Sequence, residues 1–367
     1  MENLLFESSS SSSSSDDEDN FLATILPEVL EHHQKNELYA ESIIPSYTDK
    51  EFMEHFKVPR SVLFNLAEEF AQSEYYPKKD TGFSRIDAEK CMWVFCWYAT
   101  HEAASFRDVA DRFNIALSTL HLIIENISVF ISNKSKEIIK WPSEEEKNFI
   151  MEDFASMGFP DVLGCVDGSH VRIDKPTEDH ESYYNRKKYY SIQFQAVCDS
   201  KRRIRDVFIG FPGSVHDSRV FQNSPLYVNL PALCKDKYIL GDSAYPCLRN
   251  LLTPYKNNGH LSPVETNFNK KLSHCRVLIE HTFGLLKQKF RQLYHLKLRS
   301  IPTICHFIRA CCVLHNLSLE EFDEEVADGE DIDDVERFPD NQEIDEEAEG
   351  NVVGLNFRNY IASMLHI

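Results

Sequence analysis

Three acidic residues far apart in the chain stand in contexts suited to chemistry: Asp167 in Cys-Val-Asp-Gly-Ser-His, Asp242 in Leu-Gly-Asp-Ser-Ala-Tyr and Glu280 in Arg-Val-Leu-Ile-Glu-His. The last two lie in a stretch with few carboxylates. Residues 182–319 hold 21 Lys and Arg against seven acids (Asp199, Asp206, Asp217, Asp236, Asp242, Glu265 and Glu280), a net of +14. A surface that binds a phosphate backbone keeps carboxylates away, because each repels the ligand and weakens counterion release. Acids retained in such a field are candidates for holding metal ions, and their oxygens suit Mg²⁺ or Mn²⁺.

The chain as a whole, 367 residues, carries a net charge of −20, which alone would argue against nucleic acid as partner. The excess sits at the ends. Residues 320–349 hold 17 acids and one Arg, and residues 1–19 hold six acids with no Lys or Arg. Between them, over 20–319, 36 acids face 37 basic residues. The Ser8–Ser15 run with Asp16 to Asp19, and the later acidic stretch, bury too little apolar surface to offset chain entropy and are expected to be disordered. Ten cysteines are scattered without the paired spacings of zinc sites and are expected to be reduced core thiols. Cys311 and Cys312 with His306 and His315 lie in an apolar helical run, where packing outweighs zinc. With no bilayer-length apolar run and no signal-peptide layout, the expectation is an intracellular, soluble chain.

The elements that must position the acids follow from periodicity. Residues 51–150 read as helical, and within them Ser105 to Ile127 has a helix-turn-helix layout. Phe106, Val109, Ala110 and Phe113 form one apolar set, Asn114 to Ala116 a break, and Ser118-Thr119 a cap for a second helix through Leu120, Ile123 and Ile127. Its exposed start, Ser118, Thr119, His121 and Leu122, is poor in Arg and Lys. Strands are expected at Val162–Val166 with Val171–Ile173, at Tyr189–Cys198, at Ile204–Phe211 and at Tyr238–Leu240. Glu280 falls on a helix whose buried stripe is Ile279, Phe283, Leu286, Phe290 and Leu293. Arg276, Gly284, Lys287 and Arg291 project to the same side as Glu280 on the helical wheel.

Three strands, a short helix after Asp217, another strand and a long helix, with acids after the first strand, after the last and on the helix, is how ribonuclease-H-like nucleases place two metals. Two such ions activate water and stabilise the leaving oxygen of a phosphodiester. Taken singly, each acid has a plainer explanation: Asp167-Gly168 as a hairpin turn, Asp242 as a helix cap, Glu280 as a partner of Arg276 or Lys287. Their joint occurrence in order favours the metal site.

Gly164 to Ile173, Gly210-Phe-Pro-Gly-Ser-Val-His-Asp-Ser-Arg-Val-Phe221, Leu240 to Tyr245, Arg276 to Phe290 and Ala310-Cys-Cys-Val-Leu-His-Asn316 together resemble the PIF/Harbinger transposases and the nucleases derived from them. The resemblance implies Asp167, Asp242 and Glu280 as catalytic acids and Asp217 as a further metal ligand. The expected fold class is α/β: an RNase-H-like nuclease domain over 151–319, preceded by an all-helical, helix-turn-helix-like domain over 21–150. A disordered end (1–20), an acidic disordered segment (320–350) and a C-terminal segment ending in a short helix (351–367) flank them.

The implied function is metal-dependent DNA cleavage of transposase type, with Mg²⁺ or Mn²⁺ as cofactor. Arg186, Lys187, Lys188, Arg202, Arg203, Arg276, Lys287 and Arg291 are candidate DNA contacts, and His170, His216 and Arg219 candidate supporting groups. Expected partners are DNA and a Myb/SANT-like DNA-binding protein, with a homo-oligomer open and no membrane. The expected location is the nucleus, with the cytoplasm as second compartment. The alternative is a domesticated, non-catalytic DNA-binding or scaffold protein that keeps the fold. A small-molecule phosphohydrolase is a third reading, without DNA affinity.

Overall fold

The computed structural model describes residues 35–78, 85–319 and 350–366, so the acidic stretches expected at 1–20 and 320–349 lie outside the described residues. The described residues begin with helices, which start where short polar side chains can replace the missing carbonyl partners of the first turn. Thr48, Ser105 and Ser143 each form a capping box, on α1 (Asp49–Phe56), α4 (Phe106–Arg112) and α6 (Glu144–Ser156) respectively. Between them lie α2 (Arg60–Gln72), α3 (Ala88–Thr100) and α5 (Leu117–Asn133). From Cys91 to Ala99 every residue of α3 is buried. A helix apolar on all sides belongs inside a core rather than on a surface.

A tight turn with Asn114 at a left-handed φ of 50° joins α4 to α5, and the chain bends by 101° there. The second helix starts two or three residues earlier than a Ser118 or Thr119 cap would place it. Ala116 occupies the capping position without a side-chain bond, so Ser118 and Thr119 lie inside the first turn and do not cap it. Ser118, His121 and Leu122 are exposed.

The sheet has six strands. An antiparallel meander of β1 (Val162–Ile173), β2 (Ser191–Cys198) and β3 (Ile204–Pro212) is extended on the β1 side by parallel β4 (Tyr238–Leu240) and β5 (Leu251–Leu252), in the order β3-β2-β1-β4-β5. A short β6 (His295–Leu296) pairs with the end of β1. The crossover from β3 to β4 carries α7 (Asp217–Gln222) and α8 (Pro225–Cys234). After β5 come α9 (Pro263–Lys289), α10 (Ile301–Leu317) and α11 (Val352–Met364).

The two runs expected at 162–166 and 171–173 are one strand. Pairing with β2 continues from Cys165↔Cys198 to Arg172↔Ser191, and Asp167 sits opposite Ala196. The hairpin turn that Asp167-Gly168 signals locally does not form, because the polar residues between the runs keep their ladder with a wholly buried β2. That strand begins at Ser191 rather than Tyr189, since residues 185–188 make a turn in which Lys188 has a φ of 65°.

Side chains of β1 divide between two cores, with a register shift between Val162 and Cys165. Val162, Cys165, Val171 and Ile173 join the main core with α9 and α10, whereas Leu163 and Val166 face a smaller one with Phe221, Leu226, Leu230, Ile239 and Tyr245. The main core is continuous with the N-terminal helices: Phe95 and Tyr98 on α3 meet Phe307 on α10 at ring-centroid distances of 5.4 and 5.8 Å. At about 1.5–3 kcal/mol for each large apolar side chain fully buried, Ile304, Phe307, Ile308, Val313 and Leu314 outweigh any local propensity in fixing α10. All ten cysteines are unbonded; Cys311, Cys312 and His315 are buried core groups. Among the described residues no single helix is long and apolar enough to cross a membrane.

Candidate active site

Asp167 shares the face of β1 that α9 covers, two residues along from Cys165. Arg276 of α9 meets it there, Nη2 to Oδ2 at 3.2 Å, and the Gly168 N–H donates to its Oδ1 at 2.8 Å. Because β4 runs parallel beside β1, with Cys165 opposite Leu240, the chain leaving β4 brings Asp242 alongside. Asp242 is 9% exposed, and its Oδ1 accepts the Ala244 N–H at 3.0 Å, closing an Asx turn rather than capping a helix. Asp217 opens α7, and its Oδ1 accepts a hydrogen bond from Gln193 Nε2 of β2. The same carboxylate lies against Gly168, where a Cβ would overlap Oδ1. Glu280 is exposed, one helical turn beyond Arg276.

The electrostatics tie these segments together. Burial, then the Asp242 and Asp167 carboxylates, push Asp217 well above the usual carboxylate range, against the opposing pull of Gln193 and Arg276. Burial by itself would lower the pKa of Arg276, but Asp167, Asp242 and Glu280 outweigh it and the net shift is upward. Tyr245 is raised by burial and then by Asp217, Asp167 and Asp242. Several polar atoms here are buried without a hydrogen-bond partner: the Tyr245 hydroxyl, Gln193 Oε1, both amide atoms of Gln195 beside Gly168, and Arg276 Nε. Native proteins leave few such atoms, so their concentration around carboxylates calls for a physical reason.

Among the described residues no three His, Cys, Asp or Glu side chains are arranged to hold an ion as they stand. Asp167 is turned toward Arg276, and Asp217 toward Gln193. The donor chemistry nevertheless suits a hard divalent cation: an Asp217 raised by burial and then by the Asp242 and Asp167 carboxylates, with an orphaned amide oxygen at Gln193.

Other candidate residues divide between this region and the surface. His170 Nδ1 lies 3.0 Å from Ser191 Oγ; burial, then Lys287 and Lys187, push its pKa down to about 4. Lys287 Nζ donates to the His170 carbonyl at 2.9 Å. Arg186, Lys187 and Lys188 are exposed on the turn before β2, Arg186 hydrogen-bonded to the His216 ring, and Arg219 is exposed on α7. Arg202 and Arg203, in the β2–β3 turn, line a cleft of about 600 Å³ with Arg205 and Lys289. The basic stripe expected around Glu280 does not form. Arg276 is 9% exposed and turned to Asp167. Arg291 follows the end of α9 in a 3₁₀ turn, beyond the reach of the helical wheel.

Sequence reasoning missed Gln193, Gln195 and Tyr245. For the glutamines a signal exists, in polar residues two apart within Ser-Ile-Gln-Phe-Gln-Ala-Val-Cys, a strand buried on both faces. Tyr245 gives none.

Residues 166–316 match the family described as DDE superfamily endonuclease, a span that opens one residue before Asp167 and ends in α10. Over 282 residues the chain is 31% identical to the human protein named "Putative nuclease HARBI1", covering 74% of this chain and 78% of that one. The chain belongs to the Harbinger-derived DDE endonuclease family. The Harbinger-type relative of Bos taurus, of the same name, is 30% identical over the same shares. An Arabidopsis thaliana protein named "Protein ALP1-like" is 27% identical, over 60% of this chain and 58% of its own length. No solved structure matches the chain. All four acids fall inside the DDE-family span, and the Harbinger-type alignments of 282 residues reach beyond it.

Proposed function

We propose that the chain is a divalent-metal-dependent DNA endonuclease with Asp167, Asp242 and Glu280 as catalytic acids and Asp217 as a further metal ligand. The convergence of acids from separate segments on one buried arginine supports this most strongly. Carboxylates crowded in a partly buried space raise one another's proton affinity, and functional sites are where such clustering concentrates. Mg²⁺ or Mn²⁺ bound there would supply the charge that activates water and offsets the leaving oxygen. The chain's own residues do the positioning. Gln193 orients Asp217, Gly168 leaves room for it, and Arg276 holds Asp167 while balancing its neighbours.

DNA as substrate is supported by the basic balance of residues 182–319. Transposase-type strand transfer, a nuclear location and a Myb/SANT-like partner belong to the same proposal. The partner suits a second helix of the bent pair that presents Ser118, His121 and Leu122 rather than arginines. No observation at the site favours the non-catalytic alternative.

The deciding experiment is cleavage of supercoiled DNA with Mn²⁺ or Mg²⁺, with and without a Myb-like partner. Asp167→Asn and Glu280→Gln should each lower nicking by at least about a hundredfold, roughly 3 kcal/mol of barrier, at a temperature where each variant is folded and still retains DNA. Nicking at the wild-type rate in either variant sinks the assignment.

A further inference from the structure

Beside the acids lies a second, smaller hollow. A cavity of about 120 Å³ is lined by His170, Asn185, Arg186, Lys187 and His216, and its wall is completed by Gln193 and Asp217. At about 30 Å³ per water it has room for roughly four waters, the scale of one phosphate group with some hydration. Asp217, at the edge, is the only acid among the described residues that line it.

The frame is rigid. Asn185 is 5% exposed, donates to Ser191 Oγ at 2.9 Å, and accepts the Tyr189 N–H at 3.2 Å through Oδ1. The same Ser191 Oγ bonds His170 at 3.0 Å. Gly213 presses on Ser191 so closely that a Cβ would overlap Oγ, and its N–H is committed to the Ser191 carbonyl. Main-chain bonds Asn185→Tyr189 and Lys188→Asn185, at 2.9 and 3.0 Å, close the turn that carries Arg186 and Lys187 at its tip. The N–H groups of Ser214 and Val215 are also committed, to the carbonyls of Ser182 and Pro212. The positive charge available to an anion here comes from the Arg186 and Lys187 side chains.

We propose that this cavity is a subsite for one backbone phosphate of the DNA strand, with Arg186 and Lys187 as its positioning cations. It rests on the nuclease assignment for the identity of the strand and adds where that strand is gripped. The lining is one-signed apart from the edge it shares with the acid cluster, so a phosphate seated there sets the neighbouring phosphodiester beside Asp217. Burial is the larger cause of the lowered His170 pKa, and the further push from Lys287 and then Lys187 accords with the same positive surroundings. Among the described residues no Phe, Tyr or Trp lines the hollow, so the contact is built to position the strand rather than to read bases.

The test is DNA binding by the full chain in EDTA over a salt series, with Arg186→Ala, Lys187→Ala and the double variant, and Lys297→Ala as a control for loss of an exposed charge elsewhere. Each subsite variant should lower the slope of log K against log salt by about one and weaken unrelated sequences alike. Inorganic phosphate should shift the His216 ring signals of the wild type by nuclear magnetic resonance and leave the double variant unmoved. DNA binding with an unchanged slope in the double variant, together with His216 signals indifferent to phosphate, overturns the subsite and leaves the nuclease assignment standing. Phosphate binding in a wild type that does not bind DNA upholds the anion site and removes the nucleic-acid substrate.

Discussion

Arg276 of α9 grips Asp167 of β1 through an ion pair of 3.2 Å and stands in the field of Asp242 and Glu280 as well. One guanidinium thus links the long helix to the central strand and offsets acids that arrive on different elements. Its burial makes the pairing consequential, since a buried charge that loses its partner is far costlier than a surface one.

Arg276→Met keeps an unbranched apolar stem in place of the arginine and removes the charge. In EDTA the variant should lose about 3–5 kcal/mol of unfolding free energy, measured by denaturant titration. Mn²⁺ should restore more stability to the variant than to the wild type, because a divalent ion replaces the missing positive charge. An equal loss with and without metal would assign Arg276 to packing alone.

Gly168→Ala places a methyl group where Asp217 Oδ1 now lies. Overpacking of this kind costs about 1–3 kcal/mol, and the displaced carboxylate should cost most of the metal-dependent nicking. Thermal unfolding and the supercoiled-DNA assay read the two effects separately.

Lys289 is 2% exposed, with Nζ 3.0 Å from Ser318 Oγ, and burial, then Arg202, lower its pKa to about 7. An unfolded lysine titrates near 10.4, so between about pH 7 and 10 the unfolded chain binds more protons than the folded one at this site. The contribution of Lys289 to stability should therefore rise with pH across that window. Lys289→Met should flatten this component and gain most, relative to wild type, at the acid end. Chemical denaturation of both proteins from pH 6 to 10 checks it.

Phe307→Ala removes a ring that meets Phe95 and Tyr98 on α3. The expected cost is about 3–5 kcal/mol, felt as one cooperative transition seen alike by far-ultraviolet circular dichroism and tryptophan fluorescence. The three tryptophans, Trp93, Trp97 and Trp141, include two on α3, so separate transitions by the two probes would show that the helices and the sheet melt independently.

Much of the frame is legible in the sequence. The 3.6-residue period places Ile279, Phe283, Leu286, Phe290 and Leu293 in the core, where all five are found, and apolar runs mark β2, β3 and β4. What fails does so where tertiary pairing overrides local signal. Asp167 to His170 read as a break because their polarity is local information, whereas their strand pairing depends on β2 being alongside. A helical wheel puts Arg276 and Glu280 on one side, but cannot say that the first is covered by β1 while the second faces solvent. Asp217, Asp242 and Glu280 stand out because a carboxylate is conspicuous in a basic segment. Their neighbours Gln193 and Tyr245 have neutral side chains, and burial leaves Gln193 Oε1 and the Tyr245 hydroxyl without partners.

The position of α10 has a consequence for how the protein is made. Its buried face completes the main core against both the sheet and the N-terminal helices, yet it ends at Leu317, late in the chain. During synthesis the helices from α1 to α5 emerge long before the segment that covers them, and α3 in particular carries apolar side chains on every side through that interval. The nascent chain therefore passes through a prolonged sticky stage, in which chaperone capture competes with aggregation until the ribosome has delivered residues 301–317.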